Sequence, residues 1–406
     1  MRAYERLLRY IQYGTASDAA SDTCPSTPGQ LVLAGALVDE MRAMGMRDAR
    51  VDEHGYVYGS IPANAEGQPA IGLIAHLDTV DGVPCLPMNA RVLEKYDGGD
   101  IALDNGMVMR AAEYPALAEC VGDDLIVTDG RTILGADDKA GVAEIMTACE
   151  RLLADPSVPH GKVLVAFTPD EEIGRGADQF DVAGFGADFA YTVDGGLLGE
   201  IEYENFNAAG ARVEVTGFNI HPGSAKDKMR NASLMAMAFH AMLPAAEAPA
   251  HTEGYEGFYH LTSMKGDEES ALLTYIVRDH DRARFEARKD FLRRATAYMN
   301  GRWGEGSFRL ELKDSYYNMK EQILPHMHIV RRAEAAMRAV GCEPRIIPIR
   351  GGTDGSRLSY MGLPCPNLST GAMNGHGRFE CASVRQMDSM VEVLLNIVRA
   401  DARQAP

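Results

Sequence analysis

Residues 70–79, Ala70-Ile71-Gly72-Leu73-Ile74-Ala75-His76-Leu77-Asp78-Thr79, carry the strongest signal for the architecture of this chain. The first six of them are apolar or small, which is typical of a strand covered on both faces of a sheet. Two more such runs, 162–167 and 189–193, also lead into acidic residues. Because ligand sites in open α/β sheets gather beyond the carboxyl ends of strands, we expect these polar residues to converge in space.

The sequence pattern changes after about residue 207. Alternating apolar and polar residues predict half-exposed strands at 211–216 and 307–312. Helical spacing predicts a helix over 229–246 and a long charged helix over 280–302. This mixture indicates a compact α+β domain inserted into the first one.

From about residue 319 the pattern of the first domain returns, with predicted helices at 325–339 and 384–400 and a short strand at 345–349. We therefore predict an α/β fold in which residues 1–207 and 318–406 form a discontinuous catalytic domain with a central mixed sheet between helices. Residues 208–317 would form the smaller inserted α+β domain.

The composition disfavours two classes of partner. The chain has 406 residues, 40 Lys and Arg against 58 Asp and Glu, and a net charge of -18, which disfavours nucleic acid and anionic membranes as partners. It has no apolar run of about 18 to 20 residues and no signal-peptide pattern at the N-terminus. Its seven cysteines are scattered without a CxxC pair, so we expect reduced thiols and a cytoplasmic protein.

Histidine and carboxylate residues recur in five short motifs along the chain. Two histidines and three carboxylates, one of them shared, would complete a two-metal hydrolytic site and leave one carboxylate as a base. Such donors suit a borderline divalent ion such as zinc. Each motif also has a local alternative, for example a helix N-cap or a solvated turn. The motifs are His76-Leu77-Asp78-Thr79, Gly135-Ala136-Asp137-Asp138-Lys139, Asp170-Glu171-Glu172, Val193-Asp194-Gly195-Gly196 and Asn374-Gly375-His376-Gly377.

Taken together, these motifs resemble the M20 family of metallopeptidases, and within it the aminotripeptidases. Further close matches lie at 132–146, 167–174, 275–281 and 349–355. The resemblance implies a zinc-peptidase-like catalytic domain and an inserted ferredoxin-like domain that serves as a lid and as a dimerisation surface, so a homodimer is expected.

The resemblance also implies a metal centre of two Zn²⁺ ions, bridged by Asp137 and by a water or hydroxide. His76, Asp137 and Asp194 would hold one ion. Asp137, Glu172 and His376 would hold the other. Co²⁺ or Mn²⁺ can substitute at similar ligands.

Five other residues receive roles from the resemblance. Asp78 would orient the first histidine, Glu171 would be the general base and acid, and His221 would polarise the scissile carbonyl. Arg278 and Arg350 would bind the carboxylate at the C-terminus of the substrate, a task that suits the bidentate geometry of arginine.

The resulting expectation is an aminopeptidase that releases the N-terminal residue of tripeptides or other short peptides. Within the family, aspartate at position 194 favours removal of an N-terminal residue. The alternatives are an M20 dipeptidase, carboxypeptidase or N-acyl amino acid hydrolase, and a non-catalytic peptide-binding protein. Glu171 argues against the last, because binding a metal requires no proton shuttle. Two stretches, 80–87 and 378–382, depart from the family pattern.

Overall fold

The structure is a computed structural model that describes residues 1–400. The chain divides into two compact units. Unit 1 comprises Met1–Tyr203, Glu321–Ile347 and the chain from Thr353 onward, and unit 2 comprises Glu204–Lys320 and Pro348–Gly352.

The strands are short in unit 1 and long in unit 2. In chain order they are β1 Arg47–Val51, β2 Val57–Ile61, β3 Ile71–His76, β4 Ala90–Leu93, β5 Ile101–Ala102, β6 Val108–Met109, β7 Leu125–Thr128, β8 Val163–Thr168, β9 Phe189–Gly195, β10 Glu200–Glu202, β11 Asn207–Thr216, β12 Phe258–Gly266, β13 Ser270–Asp279, β14 Phe308–Tyr316, β15 Arg345–Ile346, β16 Asn367–Ser369, β17 Ala372–Met373 and β18 Cys381–Ser383.

The helices range from one turn to six. They are α1 Ala3–Tyr10, α2 Pro28–Met44, α3 Ala136–Ala154, α4 Val182–Phe185, α5 Ala232–His240, α6 Arg282–Trp303, α7 Lys320–Ile323, α8 Met327–Ala339, α9 Asp354–Tyr360 and α10 Val384–Val398.

An eight-stranded mixed sheet forms the centre of unit 1, with the strand order β1-β2-β8-β3-β9-β16-β10-β15. β3 runs parallel to both β8 and β9, and His76 lies opposite Thr168 in this register. Every residue of β3 and β8 is buried. The carboxyl ends of the three strands therefore meet at one edge, and the prediction of a mixed α/β sheet is confirmed.

A second sheet of unit 1, with the order β17-β18-β7-β4, was not predicted. Its strands have only two to four residues, too few to display an alternating pattern. β18 pairs antiparallel with β7, which fixes the chain that follows the last histidine motif.

Unit 2 contains one antiparallel sheet with the order β12-β13-β11-β14 and two helices, α5 and α6. Alternate residues of β11, among them Val213 and Val215, share a core with Phe239 of α5 and Leu292 of α6. The helices therefore cover one face of the sheet, and the other face produces the alternation seen in the sequence.

The helix predicted over 229–246 is shorter in the structure. It begins after Asn231, whose side chain accepts a hydrogen bond from the Leu234 N–H at 3.0 Å, and it ends at His240. Apolar residues continue beyond this point, but Pro244 lies in the turns that follow. Helical spacing alone therefore overestimated its length. Within residues 1–400, no helix combines the length and the apolar character required to cross a bilayer.

Glu144 is a buried carboxyl group in α3 whose two oxygens have no hydrogen-bond partner among the described residues. Burial, followed by the charges of Asp138 and Asp388, raises its pKa well above the ordinary value. The folded chain therefore keeps a proton that the unfolded chain releases above about pH 4.3. Because the folded state binds more protons, the free energy of unfolding falls as the pH rises above that value.

We expect Glu144→Met to raise the free energy of unfolding by about 1–3 kcal/mol at pH 8, with a gain that shrinks towards pH 4. Urea unfolding of the metal-free protein across this pH range measures the effect. The control is Glu202→Met, measured at pH 6. Burial raises the pKa of Glu202 to about 8, so this carboxyl group is also protonated at that pH. This variant breaks a 2.6 Å hydrogen bond from Asn367 Nδ2 and should be destabilised. A loss of stability in Glu144→Met at pH 8 would contradict the prediction.

Candidate metal centre

His76 is the last residue of β3 and is buried among carboxylates. Its Nδ1 lies 3.0 Å from the main-chain oxygen of Asp78 and 3.5 Å from that residue's Oδ1. Its Nε2 lies 3.0 Å from Oδ1 of Asp137 and 3.4 Å from Oδ1 of Asp194. The three side chains assigned to one ion from the sequence therefore face one another.

His376 contacts the other oxygen of Asp137. Its Nε2 lies 3.0 Å from Oδ2 of Asp137 and 3.0 Å from Oε2 of Glu172. Asp137 thus presents one oxygen to each histidine, which is the arrangement of a bridging carboxylate. The His376 side chain is 54% exposed, whereas that of His76 is 2% exposed. The centre is therefore more open on the His376 side.

These residues form two groups of three donors, His76–Asp137–Asp194 and Asp137–Glu172–His376, and the donor atoms of each group lie within 4.8 Å of one another. Oε1 of Glu172 is buried and has no hydrogen-bond partner among the described residues. Imidazole and carboxylate are common ligands for zinc and similar divalent ions. Both the geometry and the chemistry of the donors therefore fit a pair of metal ions.

The protonation of the two histidines reflects the same excess of negative charge. Hydrogen bonds to Asp137 and Glu172 raise the pKa of His376 to about 11. Burial lowers the pKa of His76, but the charge of Asp194 and hydrogen bonds to neighbouring carboxylates outweigh it and raise that pKa well above its ordinary value. In the metal-free protein, protons on imidazole thus supply the positive charge that the carboxylates require.

Asp78 holds the backbone that carries the two glutamates. Its Oδ1 accepts a hydrogen bond from the Glu171 N–H at 2.9 Å, and its Oδ2 accepts one from the Glu172 N–H at 3.1 Å. Since Asp78 also contacts His76 through its main-chain oxygen, it joins the strand end to the glutamate turn. The sequence suggested a role toward the histidine alone, and this second role was not foreseen.

Asp138 follows Asp137 and is completely buried. Its Oδ1 accepts a hydrogen bond from the Gly141 N–H at 3.2 Å, as a residue serving the helix end would. Its Oδ2 accepts a hydrogen bond from the His76 N–H at 3.1 Å. Asp138 therefore both caps the first turn of the helix and holds the backbone of His76.

Asp170 precedes the two glutamates and has a left-handed backbone with φ of 59°. Its carboxylate accepts hydrogen bonds from the Ser26 N–H at 2.7 Å and from Gln30 Nε2 at 2.7 Å. In return, the Asp170 N–H donates to Gln30 Oε1 at 3.1 Å. Non-glycine residues in this region cost about 1–3 kcal/mol and persist where the surroundings hold them. Asn374 and His376 also have positive φ values, of 59° and 63°.

Glu171 lies beside these ligands but belongs to neither group of three donors. Burial raises its pKa well above the ordinary value, with the charge of His76 opposing and that of Asp194 reinforcing the shift. A carboxyl group with a raised pKa is suited to accept and return a proton near neutral pH.

The other predicted site residues belong to unit 2. His221 is exposed, and its Nδ1 accepts a hydrogen bond from the Gly223 N–H at 3.1 Å. Arg278 donates to the carbonyls of Val277 and Ala209 at 3.1 and 3.4 Å.

Arg350 is held more firmly in unit 2 than Arg278 is. It donates to the carbonyls of Gly254, Glu256 and Thr252 at 2.7, 3.1 and 3.3 Å. It also lies over the ring of Phe206, with 5.2 Å between its Cζ and the ring centroid. Arg350 therefore makes more hydrogen bonds within unit 2 than Arg278 does.

The sequence profile of Peptidase family M20/M25/M40 matches residues 128–400, and the chain belongs to this family. Within it, the chain is similar to Peptidase T of Desulfitobacterium hafniense strain Y51, with 54% identity over 403 residues and 98% of each chain covered. The predicted resemblance is thereby confirmed.

The fold is also similar to that of two solved structures. With the aminopeptidase PepT from Bacillus cereus the TM-score is 0.78 and the identity 22%, covering 98% of this chain and 97% of that chain. With a tripeptidase from Staphylococcus aureus the TM-score is 0.77 and the identity 22%, with the same coverage. These likenesses confirm the predicted fold class.

Proposed function

We propose that this chain is a dizinc aminopeptidase that releases the N-terminal residue of tripeptides or other short peptides. The observation that carries the proposal is the pair of donor groups that share Asp137, with Glu171 beside them and in neither group. The similarity to Peptidase T, to an aminopeptidase and to a tripeptidase supports the choice of substrate.

The proposed roles combine the geometry of the donor groups with the resemblance to the M20 family. Zinc ions held by the two groups would supply Lewis acidity at the scissile carbonyl. Glu171 would take a proton from the attacking water and return it to the departing amine. Asp78 would keep Glu171 in place through the 2.9 Å hydrogen bond that its carboxylate accepts from the Glu171 N–H. His221 would polarise the carbonyl, and its hydrogen bond from Gly223 would fix the ring.

Arg278 and Arg350 would bind the C-terminal carboxylate of the peptide. A carboxylate site at a fixed distance from the ions would select for peptide length, because a longer chain could not place both its ends correctly. The bonds that Arg350 makes to three carbonyls would keep its guanidinium oriented before the substrate arrives.

Unit 2 would serve as the lid and as the surface of a homodimer, as the sequence resemblance implies. It has its own core and its own four-stranded sheet, which are the features of an independent domain. We also propose a cytoplasmic location, which is supported by seven cysteines that form no disulfide.

Hydrolysis of a matched series of di-, tri- and tetrapeptides, each with a free and an acetylated N-terminus, tests the proposal. We expect cleavage of the free tripeptide, at least about tenfold slower cleavage of the dipeptide and tetrapeptide, and none of the acetylated peptides. Each tenfold step corresponds to about 1.4 kcal/mol of transition-state binding. Activity should disappear with a chelator and return with zinc.

Other outcomes of this experiment point to different functions. Faster cleavage of acetylated substrates would indicate an N-acyl amino acid hydrolase, and release of the C-terminal residue would indicate a carboxypeptidase. Preference for the free dipeptide would indicate a dipeptidase. Metal binding without any hydrolysis would leave a peptide-binding protein and would overturn the proposal.

A further inference from the structure

Glu380 is a buried carboxylate whose two oxygens are both occupied by backbone N–H groups of another loop. Its Oε2 accepts a hydrogen bond from the Gly135 N–H at 2.7 Å, and its Oε1 accepts one from the Asp137 N–H at 2.9 Å. Its relative exposure is 1%. The carboxylate therefore spans the segment that carries the shared metal ligand.

This segment is not held by regular helical structure. Gly135 has φ of 74°, and both Asp137 and Asp138 have non-helical φ and ψ values although they lie at the start of α3. Helical hydrogen bonding thus does not determine the direction of the Asp137 side chain. Instead, the N–H groups of Gly135 and Asp137 donate two charge-assisted hydrogen bonds to one carboxylate, which fixes the peptide planes that join residues 134–135 and 136–137.

Glu380 also lies four positions after His376 in the sequence. The Glu380 N–H donates a hydrogen bond to the carbonyl of Gly377 at 3.1 Å, and this bond closes a turn over residues 377–380. In the same loop, a β-carbon added to Gly375 would lie 3.1 Å from Oδ2 of Asp137. The loop that supplies His376 therefore contacts Asp137 directly, and Glu380 hydrogen-bonds to the segment that supplies Asp137.

Burial and hydrogen bonding act on the charge of Glu380 in opposite directions. Burying an ionised carboxylate is costly unless hydrogen bonds and an opposite charge compensate for it. Burial, reinforced by the charge of Asp137, raises the pKa of Glu380 to about 7, and the hydrogen bonds from the backbone N–H groups oppose this shift. The charge of Glu380 in turn favours the ammonium form of the buried Lys139. A β-carbon added to Gly135 would lie 3.2 Å from Cγ2 of Thr79 and 3.4 Å from Nζ of Lys139, and the positive φ of 74° also favours glycine at this position.

We propose that Glu380 is a positioning residue that sets the distance between the shared ligand Asp137 and the ligand His376, and thereby the affinity of the centre for its second metal ion. The inference rests on the proposed function only in that Asp137 and His376 are taken as ligands. Glu380 itself touches neither metal nor substrate, and it acts through the backbone of residues 135–137.

Glu380→Gln tests the role of the charge with almost no change in size. The amide retains one acceptor oxygen but places an NH₂ group against a backbone N–H, so one of the two hydrogen bonds is lost. We expect the affinity for the second Zn²⁺ ion to fall about 10- to 100-fold, as for other residues that orient metal ligands. Zn²⁺ titration of the metal-free protein against a chromophoric chelator measures this without any substrate.

A matched control removes another buried carboxyl group of unit 1. Glu144→Gln has no hydrogen bond to lose in the described part of the chain, so its affinity for both ions should stay within about twofold of wild type. In the Co²⁺-loaded protein, Glu380→Gln should change the visible absorption bands and Glu144→Gln should not. Excess Zn²⁺ should restore most of the peptidase activity of Glu380→Gln, because its reacting groups are intact.

Equal affinities of Glu380→Gln and wild type for the second ion would overturn the inference. Failure of the wild-type protein to bind two ions would instead overturn the proposed function. If the variant does not fold, amide hydrogen exchange of the metal-free wild-type protein decides. Gly135 and Asp137 should be protected without metal, and exchange there as rapid as in an unbonded loop would refute the role of Glu380.

Discussion

Glu171→Gln should lower kcat about 10²- to 10⁴-fold while leaving the zinc content near two ions per chain. Glutamine has almost the same shape as glutamate but cannot accept a proton from water at neutral pH. Because the Glu171 N–H, and not its side chain, is bonded to Asp78, the substitution keeps the turn in place. Steady-state kinetics together with metal analysis by plasma emission measure both quantities.

The neighbouring residue provides the matched control. Glu172→Gln should lose zinc, because the Glu172 carboxylate faces His376 at 3.0 Å as a ligand would. The pair thus separates proton transfer from metal binding at adjacent positions of one turn. Turnover of Glu171→Gln within tenfold of wild type would remove Glu171 from the mechanism, whatever the zinc content.

Asp137→Asn should lower kcat/KM at least about a thousandfold and weaken the binding of both ions. The amide keeps one carbonyl oxygen but loses the charge and one of the two oxygens that face the histidines. Loss of the Lewis acid removes several kcal/mol of transition-state stabilisation, and about 4 kcal/mol corresponds to a thousandfold in rate. Zinc stoichiometry after dialysis and kcat/KM for a free tripeptide are the measurements.

An exposed aspartate of unit 1 serves as the control for Asp137→Asn. Asp188 accepts a hydrogen bond from the Ala70 N–H at 2.8 Å and belongs to neither donor group. Asp188→Asn should retain two ions and at least half of the wild-type activity. A variant Asp137→Asn that still holds two ions would show that the two groups do not depend on a shared carboxylate.

The parts of the site that could be predicted follow local patterns. His76 ends a run of apolar residues, and the structure places it at the end of β3, where the neighbouring strands β8 and β9 also end. Parallel pairing then brings together motifs that are distant in sequence. Buried strands with polar residues at their carboxyl ends therefore predicted the sheet and the approach of His76 to Asp194. The assignment of metal ligands came from the family resemblance.

The residues that hold the ligands could not be predicted in this way. Asp170 is bonded to Gln30, which lies 140 positions earlier, and Glu380 is bonded to Gly135 across 245 positions. A carboxylate that accepts bonds from a distant backbone has no spacing that distinguishes it from one exposed to water. The one available signal was that residues 378–382 depart from the family pattern, and this stretch includes Glu380.

Four carboxyl groups surround the two histidines of the metal-free protein, namely those of Asp78, Asp137, Glu172 and Asp194. A site of this kind affects how long the protein survives in a cell. Bound ions stabilise the folded state by mass action, about 2.7 kcal/mol when their free concentration is a hundred times the dissociation constant. Chains that lack ions populate the unfolded state more often and are degraded sooner by cellular proteases. The abundance of this protein should therefore follow the supply of divalent metal, even at a constant rate of synthesis.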